Sequence, residues 1–499
     1  MSLSNIKFFV FTIFLLAIAV SIKLHLNFSW SIGGHDTFQY IKWSQLLFTE
    51  DRYLLFFRPT LYAFVLIFHE IFDWSSSAFK IMLFTFWAGS FVLLIVLCRR
   101  LGFSKFVILC SILCFSSAPL WMVGDASGHI TSIETLFVLS LVLLGINLHK
   151  NRSTPNYVLF IFTSVIFIFI HEEKILYVFP LALLIERNLL STIKTCSIIT
   201  IIIVAIYFLL GGQSSSENSA ILGGGIALSW GNHLFIVHNI FNSLTNAANE
   251  FGYFESSVII IMFITFFVKG VIYILKLFKN ERFKFSFSFF NKIFAFGIIP
   301  KEIQILILPS ILYFLFVPII FAGIDLPRTT GVVLLPALVG FIYLITKEID
   351  ILGTKILRSL FLTLFFTSFI FNLFDSRNQI SEFYFEEIKY FNAQQIIENN
   401  KIPCNQNSII GIDNSFDNRP LIWGGMRGYG LESKVYLGEE CTIKIDISDL
   451  NIAKIIESKN IAAIVVREAD GQFNNSDILA LDNWLLIHEN QVGILVRSN

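Results

Sequence analysis

The stretch Gly33-Gly34-His35-Asp36-Thr37-Phe38-Gln39-Tyr40-Ile41 directly follows the first long apolar run of the chain, residues 6–26. An acidic side chain just beyond a membrane helix is costly to leave unpaired, because it lies in a partly dehydrated layer. Residues 37–48 have the apolar spacing of a short amphipathic helix lying at the membrane surface. We interpret Asp36 as a carboxylate that takes part in the chemistry of the protein. The simpler interpretation, a cap for a helix that begins at Thr37, stays open.

The composition is that of a protein embedded in a membrane. Of its 499 residues, 55% are hydrophobic and 14% are charged, whereas about 25% are charged in soluble domains. The mean hydropathy is +0.72, and several apolar runs are long enough to cross a bilayer. The 36 basic and 36 acidic residues give no net charge, so there is no electrostatic case for binding nucleic acid.

We expect an all-α polytopic membrane bundle of about eleven spans. The first run offers no small-residue cleavage site and predicts an uncleaved helix. The apolar segment from Pro59 to Phe72 is too short to span and predicts a surface or re-entrant helix. The predicted spans are 6–26, 78–98, 106–122, 130–148, 157–170, 175–186, 195–212, 256–278, 303–322, 329–346 and 356–374.

The distribution of Lys and Arg predicts the orientation of the bundle. One set of loops is basic and includes Arg99-Arg100, Lys150 and Arg152, whereas the long loop 213–255 on the opposite side contains no Lys or Arg. The positive-inside rule therefore places the N-terminus in the cytoplasm. An odd number of spans then places residues 376–499 outside the cytoplasm.

The chain divides into a membrane domain, residues 1–375, and a small extracytoplasmic α/β domain, residues 376–499. The second part begins with a polar segment, 376–399, that is predicted to be helical, and 449–459 predicts a further helix. Cys404 and Cys441 lie in this part, and the sequence leaves open whether they form a disulfide. Short strands are predicted at 408–412, 434–437, 461–466, 484–487 and 492–496.

Several polar residues are predicted to meet at the outer ends of the spans. Ionisable groups in a membrane are expensive, and they persist where they pair with one another or serve a site. The candidates are His35, Asp36, Arg58, Asp125, His129, His171, Glu172, Lys174 and Arg328.

The segment His171-Glu172-Glu173-Lys174 is the most informative of these, because it joins two short apolar runs and therefore lies inside the bundle. Four consecutive polar residues in such a place need partners. His171 with Glu172 is compatible with a metal, although the second His of the helical zinc pattern is absent. An ordinary turn with solvated charges is the alternative.

The two outer arginines, Arg58 before Pro59 and Arg328 after Pro327, suit a phosphate group. The planar guanidinium makes paired, charge-assisted hydrogen bonds to phosphate oxygens. Snorkelling towards lipid headgroups is the alternative for each arginine. For Asp125 and His129, which follow Pro119 at another outer turn, a helix cap is the alternative.

The order of these features resembles the GT-C membrane glycosyltransferases, in particular the branch of protein O-mannosyltransferases and lipid A aminoarabinose transferases. The similarity covers residues 1–350, and the motif His-Pro-Pro of that branch is Arg-Pro-Thr here. The acidic pair of the first outer loop is reduced to His35-Asp36. The matching segments are 34–40, Arg58-Pro59-Thr60-Leu61-Tyr62, Arg99-Arg100-Leu101-Gly102, 116–129, 171–174, and Arg328 with Pro336.

The resemblance implies that a sugar is transferred from a polyprenyl-phosphate carrier to a glycan, lipid or protein acceptor of the cell envelope. Asp36 would take the proton of the acceptor hydroxyl, and Arg58, Lys174 and Arg328 would hold the lipid phosphate. A divalent metal is compatible with Asp36, Asp125, His129 and Glu172, but no cofactor is required by the sequence. The implied location is the inner (plasma) membrane.

Three other functions fit parts of the sequence. A transporter or flippase of lipid-linked sugars would use similar buried charges, and inverted repeats would favour it, but none is apparent. A glycan ligase or polymerase would need Arg and His in a large outer loop, and the loop 213–255 has His233 and His238 without Arg. A non-catalytic membrane scaffold would tolerate loss of Asp36 or Lys174 individually.

Overall fold

A computed structural model contains two compact units, one formed by the described residues up to Arg377 and one by the described residues from Asn378 onwards. The described residues are 3–29, 40, 44, 58–72, 78–126, 130–186, 188–209, 251–252, 254–261, 264, 299–320, 326–351, 355–403, 409–413, 442–445, 452–467, 484–489 and 492–497.

The first unit consists of apolar helices that match the predicted spans. Among the described residues, five helices are long and apolar enough to cross a membrane, which makes this a multi-pass membrane protein. The helices are α1 (Leu3–Ser29), α2 (Pro59–Ile71), α3 (Ala78–Arg100), α4 (Lys105–Ser117), α5 (Pro119–Ala126), α6 (Thr131–Lys150), α7 (Thr154–Ile170), α8 (Ile175–Glu186), α9 (Leu189–Leu209), α10 (Lys301–Ile320), α11 (Leu326–Ile351) and α12 (Lys355–Asn399).

Local sequence explains where several of these helices begin and end. Gly102, at a φ of +70°, ends α3 in the left-handed conformation that glycine adopts without steric cost. Ser104 then caps α4 by accepting a hydrogen bond from the backbone N–H of Val107 at 3.4 Å. The predicted span 106–122 is interrupted between α4 and α5, because a proline disfavours the helical conformation of the residue before it and Ala118, which precedes Pro119, has an extended ψ of 134°.

The helices of this unit pack around large buried aromatic side chains. Trp87 stacks on Phe115 with ring centroids 5.9 Å apart, and Phe115 meets the edge of Trp121 at 4.9 Å. A Cβ atom on Gly340 would lie 2.7 Å from Ile307 Cγ1. Glycine therefore lets α11 approach α10 closely at that point. The ring N–H of Trp121 also donates to Thr135 Oγ1 at 2.7 Å, which ties α5 to α6.

The short apolar segment after Arg58 forms α2, as predicted from its length, and α12 includes both the last predicted span and the polar segment 376–399. The predicted span 256–278 and the amphipathic helix predicted at 37–48 lie mostly outside the described residues. The number of spans stays a prediction.

The second unit contains a five-stranded mixed sheet in the order β2-β1-β3-β5-β4. Strand β1 is parallel to β2 and β3, and β5 is antiparallel to β3 and β4. A helix, α13 (Ile452–Ser458), precedes β3 and contributes Ile456 to the buried core. The strands are β1 (Ile409–Asp413), β2 (Thr442–Ile445), β3 (Ile461–Arg467), β4 (Trp484–Glu489) and β5 (Val492–Arg497).

Four of these strands lie where the sequence predicts them, and β2 is an addition. The alternation of Ile with Thr and Lys in residues 442–445 is that of a half-buried strand. The strand predicted at 434–437, together with Cys404 and Cys441, lies outside the described residues.

Candidate functional site

Four segments that are distant in sequence bring their polar side chains together in the membrane unit. They are the residue before α2, the first turn of α6, the joint between α7 and α8, and the middle of α10. They contribute Arg58, Glu134, the residues of the joint, and Tyr313. Glu134, Glu173 and Lys174 are buried and Arg58 is half-buried. Below, the term charge cluster is used for six side chains, those of Arg58, Glu134, His171, Glu173, Lys174 and Tyr313.

The joint has a structure that turns its side chains inwards. Helix α7 ends at Ile170, a single 3₁₀ turn covers Glu172–Lys174, and α8 begins at Ile175. The backbone N–H of Lys174 donates to the carbonyl of His171 at 3.1 Å, which closes this turn. The two flanking helices are short, as the sequence indicates, and the joint therefore ends within the bundle.

Lys174 lies between two carboxylates. Its Nζ is 3.4 Å from Glu134 Oε2 and 3.3 Å from Glu173 Oε1. It also donates to the Tyr313 hydroxyl at 3.2 Å and faces the ring of that tyrosine, 5.3 Å from its centroid. A buried ammonium surrounded in this way is compensated by charge and by hydrogen bonding, as burial of an ion requires.

Arg58 and His171 form the second half of the cluster. Arg58 Nη2 lies 2.9 Å from His171 Nε2, and Arg58 Nη1 donates to the Tyr40 hydroxyl at 3.1 Å. On its other side, His171 Nδ1 contacts Glu173 Oε2. The guanidinium has only donors, so Nε2 must accept and the ring proton must lie on Nδ1, facing the carboxylate.

The surroundings of His171 favour its neutral form. Burial lowers the pKa of His171 well below its usual value, and the positive charges of Arg58 and Lys174 lower it further. The formal charges of the cluster are then two cations, Arg58 and Lys174, and two anions, Glu134 and Glu173, which sum to zero.

Glu134, His171 and Glu173 are also close enough to be tested as metal ligands, since each offers one ligand atom and these atoms lie within 4.8 Å of one another. The arrangement does not fit a metal in this state. His171 Nε2 accepts a hydrogen bond from Arg58 and Nδ1 carries the ring proton, so neither nitrogen offers a lone pair to a metal. The Lys174 ammonium already lies between the two carboxylates.

A second buried network lies next to the charge cluster and shares the first turn of α6. Lys23 Nζ lies 2.6 Å from Asp125 Oδ2 and donates to the carbonyl of Trp121 at 2.6 Å. Asp125 Oδ1 accepts from Thr131 Oγ1 at 2.8 Å and from the backbone N–H of Ser132 at 3.2 Å, and Oδ2 accepts from the Ser132 hydroxyl. Asp125 therefore caps α6 and pairs with α1.

The structure brings three of the predicted site residues, Arg58, His171 and Lys174, into one cluster, and it holds Asp125 in the neighbouring network. Arg328 lies in the first turn of α11 and Glu172 in the 3₁₀ turn, and their side chains are outside the described part of the chain. His35, Asp36 and His129 also lie outside the described residues.

Sequence reasoning did not assign Glu134, Glu173, Tyr313 or Lys23 to a site. The sequence does carry a signal for Glu134, Glu173 and Lys23, because each is an ionisable residue within or beside an apolar run. Tyr313 carries no such signal, because a tyrosine in a membrane helix is ordinary.

Comparison with known proteins supports the fold. No family model matches the chain, and no curated protein matches it. Its structure is similar to that of ArnT from Cupriavidus metallidurans, solved bound to undecaprenyl phosphate and in the apo state, with a TM-score of 0.54, 10% identity and coverage of 97% of each chain. It is also similar, with a TM-score of 0.44 and 14% identity over 91% of this chain and 69% of the other, to an Archaeoglobus fulgidus oligosaccharyltransferase tethered to an acceptor peptide. The match to the two ArnT structures shows that this chain shares their fold, as the resemblance in sequence predicted.

Proposed function

We propose that this protein is a glycosyltransferase that moves a sugar from a polyprenyl-phosphate donor to an envelope glycan, lipid or protein on the outer face of the inner membrane. The observation that carries the proposal is the convergence of Arg58 and Lys174 at one partly buried site within a GT-C fold. The similarity to an ArnT structure that binds undecaprenyl phosphate supports a lipid phosphate as the group that these cations recognise.

The transfer is a single displacement with Asp36 as the general base. The Asp36 carboxylate takes the proton of the acceptor hydroxyl, and the acceptor oxygen forms a bond to the anomeric carbon of the sugar. The bond between that carbon and the phosphate oxygen breaks, and its electron pair leaves with the lipid phosphate. The configuration at the sugar carbon is inverted.

The cations act on the leaving group. Arg58, Lys174 and Arg328 hold the phosphate and stabilise the charge that grows on its oxygen as the bond breaks. His35, His129 and Glu172 belong to the same substrate-facing set, and His171 contributes to it through its contact with Arg58. Asp125 contributes to this set indirectly, because its hydrogen bonds to Thr131 and Ser132 fix the turn of α6 that carries Glu134.

The direct test is sugar transfer by the purified protein in membranes, with polyprenyl-phosphate sugars as donors and cell-envelope fractions as acceptors. We expect transfer by the wild type and none by Asp36→Asn. The matched control is Asp350→Asn, because Asp350 is an exposed aspartate paired with Arg358, and this variant should transfer normally.

Other outcomes would change the assignment in distinct ways. Transfer by both the wild type and Asp36→Asn would keep the reaction and move the base to another carboxylate. Binding of the lipid-linked sugar without transfer by either protein would contradict the proposal and favour a transporter or flippase.

A further inference from the structure

We propose that His171 and Glu173 are positioning residues that fix the guanidinium of Arg58 for an anionic phosphate, with His171 acting as a neutral hydrogen-bond acceptor. The inference rests on the proposed function, because it concerns how the phosphate of the donor is held. It adds a chain of three side chains, Glu173 to His171 to Arg58, in which each member sets the state of the next.

The chain begins at the carboxylate. Glu173 Oε1 is held by Lys174 at 3.3 Å and by the Tyr313 hydroxyl at 3.4 Å, and Oε2 faces His171 Nδ1. A carboxylate beside one ring nitrogen stabilises the proton there and leaves the other nitrogen as the acceptor. Glu173 thus selects the tautomer of His171.

The imidazole then orients the guanidinium. His171 Nε2 receives Arg58 Nη2 at 2.9 Å, and the Tyr40 hydroxyl receives Nη1 at 3.1 Å. Tyr40 itself stacks on Phe79 with centroids 6.3 Å apart. These two acceptors contact different nitrogens of the Arg58 guanidinium and therefore fix its plane. A guanidinium that is already fixed loses less conformational entropy when it forms paired hydrogen bonds to phosphate oxygens.

This role depends on a neutral ring. An imidazolium has no acceptor nitrogen, so protonation of His171 would break the contact with Arg58 and place two cations against each other. The charged and titratable groups that face His171 are Arg58 before α2 and Glu173 and Lys174 in the joint. Behind them lie Glu134 on α6 and Tyr313 on α10.

The test uses His171→Gln, whose amide oxygen can accept from Arg58 but does not titrate. Transfer is measured at about pH 7 and at about pH 5, with several donor concentrations at each pH. Because the buried ring stays neutral in the folded protein, the KM of the wild type for the lipid donor should be the same at both pH values. In His171→Gln the KM should stay within about threefold of the wild type, whereas in His171→Ala, which leaves Arg58 without this acceptor, it should rise about tenfold or more.

Three further variants complete the transfer experiment. The control His25→Gln removes an exposed histidine of α1 and should have the same KM as the wild type. Glu173→Gln, which keeps an acceptor for Nδ1, should retain more transfer than Glu173→Ala. An equal rise in KM in His171→Gln and His171→Ala would overturn the proposal. Protonation of Asp36 at the lower pH would instead lower kcat in all variants alike.

A second readout separates this inference from the proposed function. Because the folded protein holds His171 neutral, its stability should fall as the pH drops below about 6.5, where a histidine of the unfolded chain takes up a proton. The melting temperature in detergent should therefore fall more in the wild type than in His171→Gln. This difference without transfer of any lipid-linked sugar would refute the proposed function alone. Transfer without this difference would refute the role of His171.

Discussion

The membrane unit contains two ionic networks that share the first turn of α6 but differ in how fully their cations are buried. The pair Lys23–Asp125 has one cation and one anion, both fully buried, and every oxygen of Asp125 is engaged by protein groups. The charge cluster contains Arg58, which is half-buried, and its arrangement depends on the tautomer of His171. A buried charge by itself therefore does not identify a site, whereas a half-buried cation at the edge of a compensated cluster is a candidate for one.

The largest effect, a loss of stability, should come from breaking the Lys23–Asp125 pair. Lys23→Met leaves Asp125 buried without its cation, and loss of one partner of a buried pair costs about 3–5 kcal/mol. We expect a large drop in melting temperature and in folded yield, measured in detergent. The double variant Lys23→Met with Asp125→Asn should recover much of the loss, since no unpaired charge remains. Equal stability of the wild type and Lys23→Met would contradict the structural role of this pair.

The next effect should separate function from stability. Arg58→Gln removes the half-buried cation that is proposed to bind phosphate, and we expect transfer to fall about 100-fold, as for the loss of one group that stabilises transition-state charge. The melting temperature should change much less than in Lys23→Met. The matched control is Arg358→Gln, because the Arg358 side chain is 49% exposed and paired with Asp350. Unfolding of Arg58→Gln at the same temperature as Lys23→Met would erase the contrast between the two networks.

A smaller effect is expected at the residue that links the networks through α6. Glu134→Gln removes one of the two carboxylates beside Lys174 but keeps a hydrogen-bond acceptor. We expect about a tenfold loss of transfer, because the ammonium is less well positioned while Glu173 still compensates its charge. Kinetics at several donor concentrations check this expectation. A loss as large as that of Arg58→Gln would mean that Glu134 itself contacts the substrate.

The smallest effect should come from Tyr40→Phe. The substitution keeps the ring that stacks on Phe79 and removes only the hydroxyl that receives Arg58 at 3.1 Å. A single hydrogen bond contributes about 0.5–1.5 kcal/mol, so the KM for the donor should rise a few-fold. Tyr343→Phe is the control, because it also keeps a stacked ring, which lies on Phe103 with centroids 4.6 Å apart, and Tyr343 is not part of the charge cluster. Equal changes in both variants would assign the effect to packing.

The helices were predictable because membrane spans leave a strong signal in composition. The apolar runs at 78–98 and 175–186 correspond to α3 and α8, and Pro59 marks the start of α2 as the sequence indicates. Interruption of the predicted span 106–122 at Pro119 was less accessible, because hydropathy averages over a window and does not resolve a break of one residue.

The site was predictable in part. Arg58, His171 and Lys174 could be proposed together because each lies at the end of an apolar segment that the distribution of Lys and Arg predicts to be the outer one. The partners of these residues could not be identified in the same way. Lys23 and Asp125 are 102 positions apart, and Lys174 and Tyr313 are 139 positions apart, so only the packed helices reveal the pairs. The tautomer of His171 is likewise fixed by an atom-to-atom contact that no sequence pattern encodes.

The position of Lys174 between Glu134 and Glu173 has a consequence for turnover. Under the proposed function, an arriving lipid phosphate must compete with these carboxylates for the ammonium, and after the bond breaks the same carboxylates compete with the spent carrier. An internal anion of this kind limits how tightly either is held. The spent carrier should therefore be a weak product inhibitor, and neutralising either glutamate should make it a stronger one.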